Sequence, residues 1–278
     1  MFVMQHAYAI YNGTPVPNAD DYPFMVSIQV KNTQAPAGFD HWCGGSIITP
    51  TMILTAGHCV ANAKDMSGAF VIRDPSTLQI VTRNRAAYAV KAIHLKPDFY
   101  YQSVLGSAGK PIGILAENDL AIIELNQPIR DEATVNLPDA NKEAEYYFPG
   151  NRVLTIGYGV YDASETVSYP LLRSAWTNVI NPLVFHDFYY QGTLIEASKV
   201  NPYLPRTQFF GTYNAQYSSG SHDSGSPLLV QNSDGSYVVI GIFSMGFSVF
   251  GLPFQSDGSV MTGAPDNLTW IKQVINQR

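Results

Sequence analysis

Charge is scarce in this chain. Only 14% of its 278 residues are Asp, Glu, Lys or Arg, while 46% are hydrophobic. A chain so poor in charge and rich in apolar side chains is not a disordered one. No run of Lys or Arg exists and the formal net charge is −6. That excludes the basic footprint of a nucleic-acid or anionic-membrane binder. No apolar run approaches the length that spans a bilayer. No G-x-S-x-G elbow or H-E-x-x-H pair occurs, which argues against an α/β-hydrolase and a zinc peptidase. His6, His94 and His186 stand isolated, so neither a metal nor a cofactor is expected.

Cysteine is nearly absent too. The two present, Cys43 and Cys59, enclose about 15 residues, and joining them would stabilise the fold by roughly 3 kcal/mol. Two unrelated buried thiols are the alternative. A pair implies an oxidising compartment, secreted or periplasmic.

What is plentiful is punctuation: 22 Gly and 18 Pro. Between these breaks lie short β-branched or aromatic runs. Strands are predicted over 24–30, 45–49, 52–55, 69–72, 89–95, 120–125, 152–156, 228–230 and 237–244. Many short strands without long helices between them predict an all-β fold, sandwich or barrels. Residues 266–278 form the one helical pattern, with Asp266 as N-cap and Leu268, Ile271, Val274 and Ile275 at helical spacing. Pro149-Gly150 divides the strands roughly in two. The aromatic stretch 184–217 has weak periodicity and is predicted to be a long packed loop.

Three segments carry chemistry. Acyl transfer needs a nucleophile, a neutral imidazole to take its proton, and a carboxylate to hold the imidazole tautomer. His58 ends the run Leu54-Thr55-Ala56-Gly57-His58-Cys59, where an apolar strand enters a tight turn. Asp119 immediately precedes the apolar run Leu120–Leu125, where a buried charge needs a partner. Ser224 lies in Asp223-Ser224-Gly225-Ser226-Pro227, before another apolar run. A lone histidine in a β protein is ordinarily structural, an Asp at a strand start ordinarily exposed, and a Ser-Gly loop ordinarily just a loop. Together the three say more than any one.

In these contexts the chain resembles the chymotrypsin/trypsin family. Trp42–Ile48 and Leu54–Cys59 are similar to its CGGSLI…LTAAHC block, Asn118–Leu125 to NDIALIKL, and Asp223–Pro227 to DSGGP. Ile156–Gly159 and Ile240–Gly246 resemble VTGWG and GIVSWG, and Val260-Met261-Thr262 with Trp270-Ile271 resembles VYT…WI. The order His, Asp, Ser is also that family's.

The resemblance implies two six-stranded antiparallel β-barrels and a C-terminal α-helix. Residues 10–278 would form the peptidase domain, with barrels over about 24–140 and 145–263 and the helix over 266–277. Residues 1–9 would be a leader or propeptide remnant. A secreted, monomeric serine endopeptidase is implied, acting on polypeptides through Ser224, His58 and Asp119. Backbone N–H groups of His222 and Ser224 would form the oxyanion hole, and Cys43–Cys59 the disulfide beside the catalytic His.

Ile10-Tyr11-Asn12-Gly13 resembles the IVGG terminus that pairs with the Asp before the nucleophile, here Asp223. Ala9 precedes Ile10, so activation by a trypsin-like cut is not expected. With Ile10 inside the chain, a zymogen-like state is expected, Asp223 unpaired from Ile10. His41 matches a histidine that holds this Asp in some zymogens. The substrate pocket would use Ser218, Ser244, Gly246 and Ser259, and with no carboxylate at Ser218 an uncharged P1 residue is expected. The chain departs from the pattern at His222 and Ser226, both glycine in the family, and at Met245, a tryptophan there. These departures leave a rival, a catalytically weak homologue acting as a binding protein. Asn12 and Asn267 sit in sequons.

Overall fold

The structure is a computed structural model. It describes residues 10, 12–64, 70–105, 111–159, 171–180, 187–190, 193–196, 209–248 and 255–277. Two closed antiparallel barrels of six strands each, with a C-terminal helix, make up its framework.

In the first barrel, Met25–Lys31 pairs with Phe39–Thr49, then come Met52–Thr55, Ala121–Leu125, Ala87–Leu95 and Leu78–Thr82, which returns to Met25–Lys31. Its strands are built from β-branched and aliphatic residues because both the barrel interior and the partner barrel must be filled. Met25, Ile28, Ile47, Ile53, Ile80, Ile122 and Ile123 are fully buried. Each such side chain stabilises the fold by about 1.5–3 kcal/mol relative to exposure.

The second barrel runs Arg152–Gly157, Pro227–Gln231, Tyr237–Ser248, Gln255–Met261, Phe209–Tyr213 and Arg173–Ile180, which returns to Arg152–Gly157. Three of these strands escape sequence reading. Arg173–Ile180 alternates in burial, but its inward residues at 175 and 177 are Ala and Thr. Phe209–Tyr213 lies inside the predicted aromatic loop, and 187–190 pairs with 193–196 there as well, so that stretch is not all loop. Gln255–Met261 carries Asp257, Gly258 and Ser259, a poor strand composition.

The helix spans Pro265–Asn276 and buries Leu268, Ile271 and Val274, the last two within the main apolar cluster. Its N-cap is Ala264, with Pro265 in the first turn, rather than Asp266. Proline's fixed φ and missing N–H suit that first turn. Among the described residues no helix is long and apolar enough to cross a membrane.

The barrels join through backbone. Gly44 N–H donates to Ser224 O at 2.8 Å, and Val239 N–H to Asn136 O at 2.9 Å. One apolar cluster runs from Ile47 and Ile53 of the first barrel to Leu154 and Ile242 of the second. The loops that bear His58, Asp119 and Ser224 meet at this seam.

Candidate active site

The buried strand Met52–Thr55 delivers the chain to a single 3₁₀ turn, Gly57–Cys59. Two links pin that turn to the neighbouring strand. Cys59 is disulfide-bonded to Cys43, and Thr55 Oγ1 donates to Gly44 O at 2.9 Å. A Cβ at Gly57 would lie 2.7 Å from the Phe99 ring, so glycine here is matched to an aromatic packed over the turn. Both sulfurs being spent in the disulfide, Cys43, His58 and Cys59 leave no thiolate for a metal.

Asp119 is fully buried, one residue past Asn118, whose φ of 49° turns the chain into the Ala121–Leu125 strand. Three donors compensate its burial. Oδ1 accepts from His58 N–H at 2.8 Å; Oδ2 accepts from His58 Nδ1 at 2.8 Å and from Ser244 Oγ at 2.5 Å. A carboxylate only accepts, so the Nδ1 proton is assigned to His58 and its Nε2 lone pair is left available. The Tyr101 ring stacks on His58 with centroids 4.4 Å apart and an interplanar angle of 24°. Burial, and the Asp119 carboxylate beside it, push the Tyr101 phenol well above its ordinary value, so it stays neutral.

Ser224 is half-buried in the turn that leads into Pro227–Gln231. Gly225 follows at φ 79°, and a Cβ there would lie 2.1 Å from Thr55 Oγ1 and 2.5 Å from Gly44 O. Only glycine permits that approach. It seats the Ser224 loop directly on the strand ends that lead to His58. Ser226 fills the space above Gly44, whose own Cβ would meet Ser226 Oγ at 2.1 Å.

His222 adopts φ 70°, a left-handed conformation, so it keeps the backbone shape that glycine would take. Its carbonyl accepts from His41 Nε2 at 3.0 Å, while His41 Nδ1 lies 2.8 Å from Ser27 Oγ. Burial pushes the His41 imidazole down to about 3, with His222 adding to the shift. His41 is therefore neutral, donating through Nε2 and accepting at Nδ1.

Asp223 overturns one expectation. It is not apart from Ile10: its Oδ2 accepts the Ile10 N–H at 2.8 Å. Oδ2 also accepts from Gly220 N–H and Oδ1 from Gly159 N–H, both at 2.9 Å. The physical reason is that a neutral peptide N–H can fill the same direction as an ammonium, and two further amides already hold the carboxylate. Ile10 itself is fully buried. Burial pushes Asp223 up to about 6, against the downward pull of its three N–H donors.

The expected pocket positions are spread over three elements. Ser218 is buried in the loop before the nucleophile, and Ser259 is buried on Gln255–Met261. Gly246 is exposed, opposite Asp257 in the adjoining strand. Ser244, expected with them, gives its hydroxyl to Asp119. Sequence reasoning missed Tyr101, visible only as part of the aromatic run 99–101, and Asp257, a carboxylate in a predicted non-strand region. Asn12 is exposed at φ 59°, whereas Asn267 is buried with its Nδ2 donating to Met261 O, out of reach of a glycan.

The family model described as Trypsin matches residues 10–271. A mouse (Mus musculus) protein named tryptase is 23% identical over 236 residues, covering 82% of this chain and 76% of its own length. The Mus musculus protein named transmembrane protease serine 11C is 23% identical over 232 residues, covering 81% of this chain. The chain spans 45% of that relative's length.

Proposed function

The chain belongs to the trypsin family of serine peptidases, and from that premise we propose that it hydrolyses polypeptides through an acyl-enzyme on Ser224. The observation that carries the reading is the Asp119–His58 contact at 2.8 Å, backed by Ser244. It leaves His58 with a proton on Nδ1 and a free base at Nε2. Ser224 Oγ attacks the scissile carbonyl as His58 takes its proton, and Asp119 stabilises the imidazolium. The developing oxyanion is met by the N–H groups of Ser224 and His222. His58 then protonates the leaving amine, the amide C–N bond breaks, and water activated by the same imidazole hydrolyses the ester.

Activation follows from Asp223. Within the chain Ile10 offers a neutral N–H to a carboxylate whose ionisation burial disfavours. Cleavage before Ile10 converts that donor to an ammonium. The resulting charge-assisted pair stabilises the ionised form and strengthens the hold on the 220–225 turn, which Asp223 already ties to Ile10 in the uncut chain. The disulfide favours an oxidising, extracytoplasmic setting.

The one ground for a second reading, a weak homologue that binds rather than cleaves, is the His222 ring standing where the family has glycine, although its backbone stays glycine-like at φ 70°. A fluorophosphonate probe separates the two. The chain starting at Ile10 should be labelled and Ser224→Ala should not. Absence of label on the Ile10-started chain would leave the binding protein.

A further inference from the structure

One cation near the oxyanion turn has no anion. Arg73 follows the short ladder of Ala61–Lys64 with Phe70–Ile72, which begins directly after the His58 turn. Two contacts fix its place. Arg73 N–H donates to the carbonyl of Val60, two residues past His58, at 2.8 Å. Phe70 meets Phe99 edge-on at 4.7 Å, and Phe99 is the ring packed over Gly57. The Arg73 guanidinium then lies over the Trp42 ring, with Cζ 5.1 Å from the centroid. Trp42 also meets the His222 ring edge-on at 5.7 Å, and its carbonyl accepts from His222 Nδ1 at 3.2 Å. The Cys43–Cys59 disulfide, one residue from Trp42 and one from His58, ties this platform to the catalytic turn.

The polar inventory of this platform is incomplete. Among the described residues no carboxylate pairs with Arg73. Its neighbour Asp74 faces the other way: Oδ1 accepts from Ser76 N–H at 2.9 Å and caps the 3₁₀ turn Pro75–Thr77. Arg73 Nε and Trp42 Nε1 are buried donors with no acceptor. Burial holds the Arg73 pKa below its ordinary value, yet a guanidinium remains charged. A cation drawn part-way out of water without a partner is unfavourable until an anion reaches it. The Trp42 face offsets about 0.5–1 kcal/mol of that cost. It satisfies none of the five N–H donors, whose planar fork matches a carboxylate.

We propose that Arg73, seated on Trp42, binds a substrate carboxylate on the leaving-group side of the scissile bond and selects Asp or Glu at the second position beyond it (P2′). The positions expected to take P1, Ser218, Gly246 and Ser259, lie in the second half of the chain, two of them on strands of the second barrel. Trp42 lies on a first-barrel strand, and Arg73 follows the His58 turn. A peptide that seats P1 in the second barrel and crosses Ser224 therefore leaves over Trp42. An extended peptide advances about 3.3 Å per residue. A P2′ residue with its side chain thus spans the two steps, 5.7 and 5.1 Å, from the His222 ring through Trp42 to the guanidinium. The proposal rests on the reading of the chain as a Ser224 peptidase and adds a class of substrate to it.

The test uses the Ile10-started chain and four internally quenched peptides that differ only at P2′: Glu, Asp, Gln or Lys. Glu and Asp should exceed Gln in kcat/KM by about tenfold, the worth of a charge-assisted hydrogen bond, and Lys should be the poorest. In Arg73→Gln the Glu-to-Gln ratio should fall to about one, and in Arg73→Glu the order should reverse in favour of Lys. A wild-type enzyme indifferent to charge at P2′ overturns the proposal. So does an equal loss on all four peptides in both variants, the mark of a purely structural Arg73. A second measurement does not need turnover. The Glu peptide should bind Ser224→Ala about tenfold more tightly than the Gln peptide by calorimetry, and equally in Ser224→Ala/Arg73→Gln. Equal affinity for Ser224→Ala, or no measurable binding of either peptide, overturns the proposal. A fluorophosphonate-labelled enzyme without a P2′ preference sinks only this inference. An unlabelled one sinks the peptidase reading, and the calorimetry still judges Arg73.

Discussion

His222→Gly tests whether the oxyanion turn is set by backbone or by the ring that stands where the family has none. His222 sits at φ 70°, and an L side chain in that region costs about 1–2 kcal/mol. Its ring is tied down: Nδ1 donates to Trp42 O at 3.2 Å, and the two rings meet edge-on at 5.7 Å. The link from His41 Nε2 goes to the carbonyl of residue 222 and survives the substitution. Glycine relieves the strain, but it adds about 0.5–1 kcal/mol of chain entropy to the unfolded state. It also removes a half-buried hydrogen bond of about 1 kcal/mol. The sum lies within about 1 kcal/mol of zero, a shift in Tm of only about 2–4 °C for a chain near this size. Because the backbone is already glycine-like, the N–H direction is unchanged, and kcat/KM should move by less than about fivefold. Thermal unfolding and ester or peptide turnover of the Ile10-started chain measure both. A gain of about 10²-fold or more, the worth of one oxyanion donor, would show that the ring had disabled the hole. A loss above about 3 kcal/mol would show that the ring contacts had been undervalued.

Asp119→Asn removes one of two oxygens that accept three hydrogen bonds, so the amide must confront a His58 donor or force the other tautomer. Turnover should fall by about 10⁴-fold with the fold retained; a loss below tenfold, by active-site titration, would contradict the assigned proton on Nδ1. Replacing Cys43 and Cys59 together by Ala should lower stability by about 3 kcal/mol, and reductant should bring wild type to the same melting temperature. Urea midpoints across pH test Asp223. In the uncut chain its folded pKa of about 6 lies above the unfolded value of 3.8, so the folded state binds more protons between them. Its contribution to stability is therefore present below the unfolded pKa and lost as pH rises towards 6. An ammonium at Ile10 opposes this, so the stability gained on cutting should grow from pH 4 to pH 6. A gain that shrinks over that interval would refute the sign.

Sequence reading found the strands whose inward faces are large and aliphatic, such as 52–55 and 152–156, because burial there leaves a composition that no other element shares. It lost strands where the inward face is small or polar, and it also lost Leu78–Thr82, where Leu78 and Ile80 are buried in a run of only five residues. Gln255–Met261 is the clearest case: its buried Asp257 and Ser259 are residues that strand composition disfavours. Barrel closure overrides local propensity there, so composition points the wrong way. The zymogen-like expectation failed for a different reason. It treated the Asp223 contact as a matter of charge, whereas three peptide N–H groups satisfy the carboxylate without any.

By itself the sequence determined the all-β framework, the C-terminal helix, and the three segments in which an apolar strand meets a His, an Asp or a Ser. Each is local, written in composition and spacing over a few residues. Only the tertiary structure decided what those residues touch. It set Ser244 on Asp119, Tyr101 on His58, the Ile10 amide on Asp223, a left-handed backbone at His222, and Asp257 level with Gly246. Those contacts join groups far apart in the chain, and their geometry comes from closing two barrels against one seam, which no short window of sequence encodes.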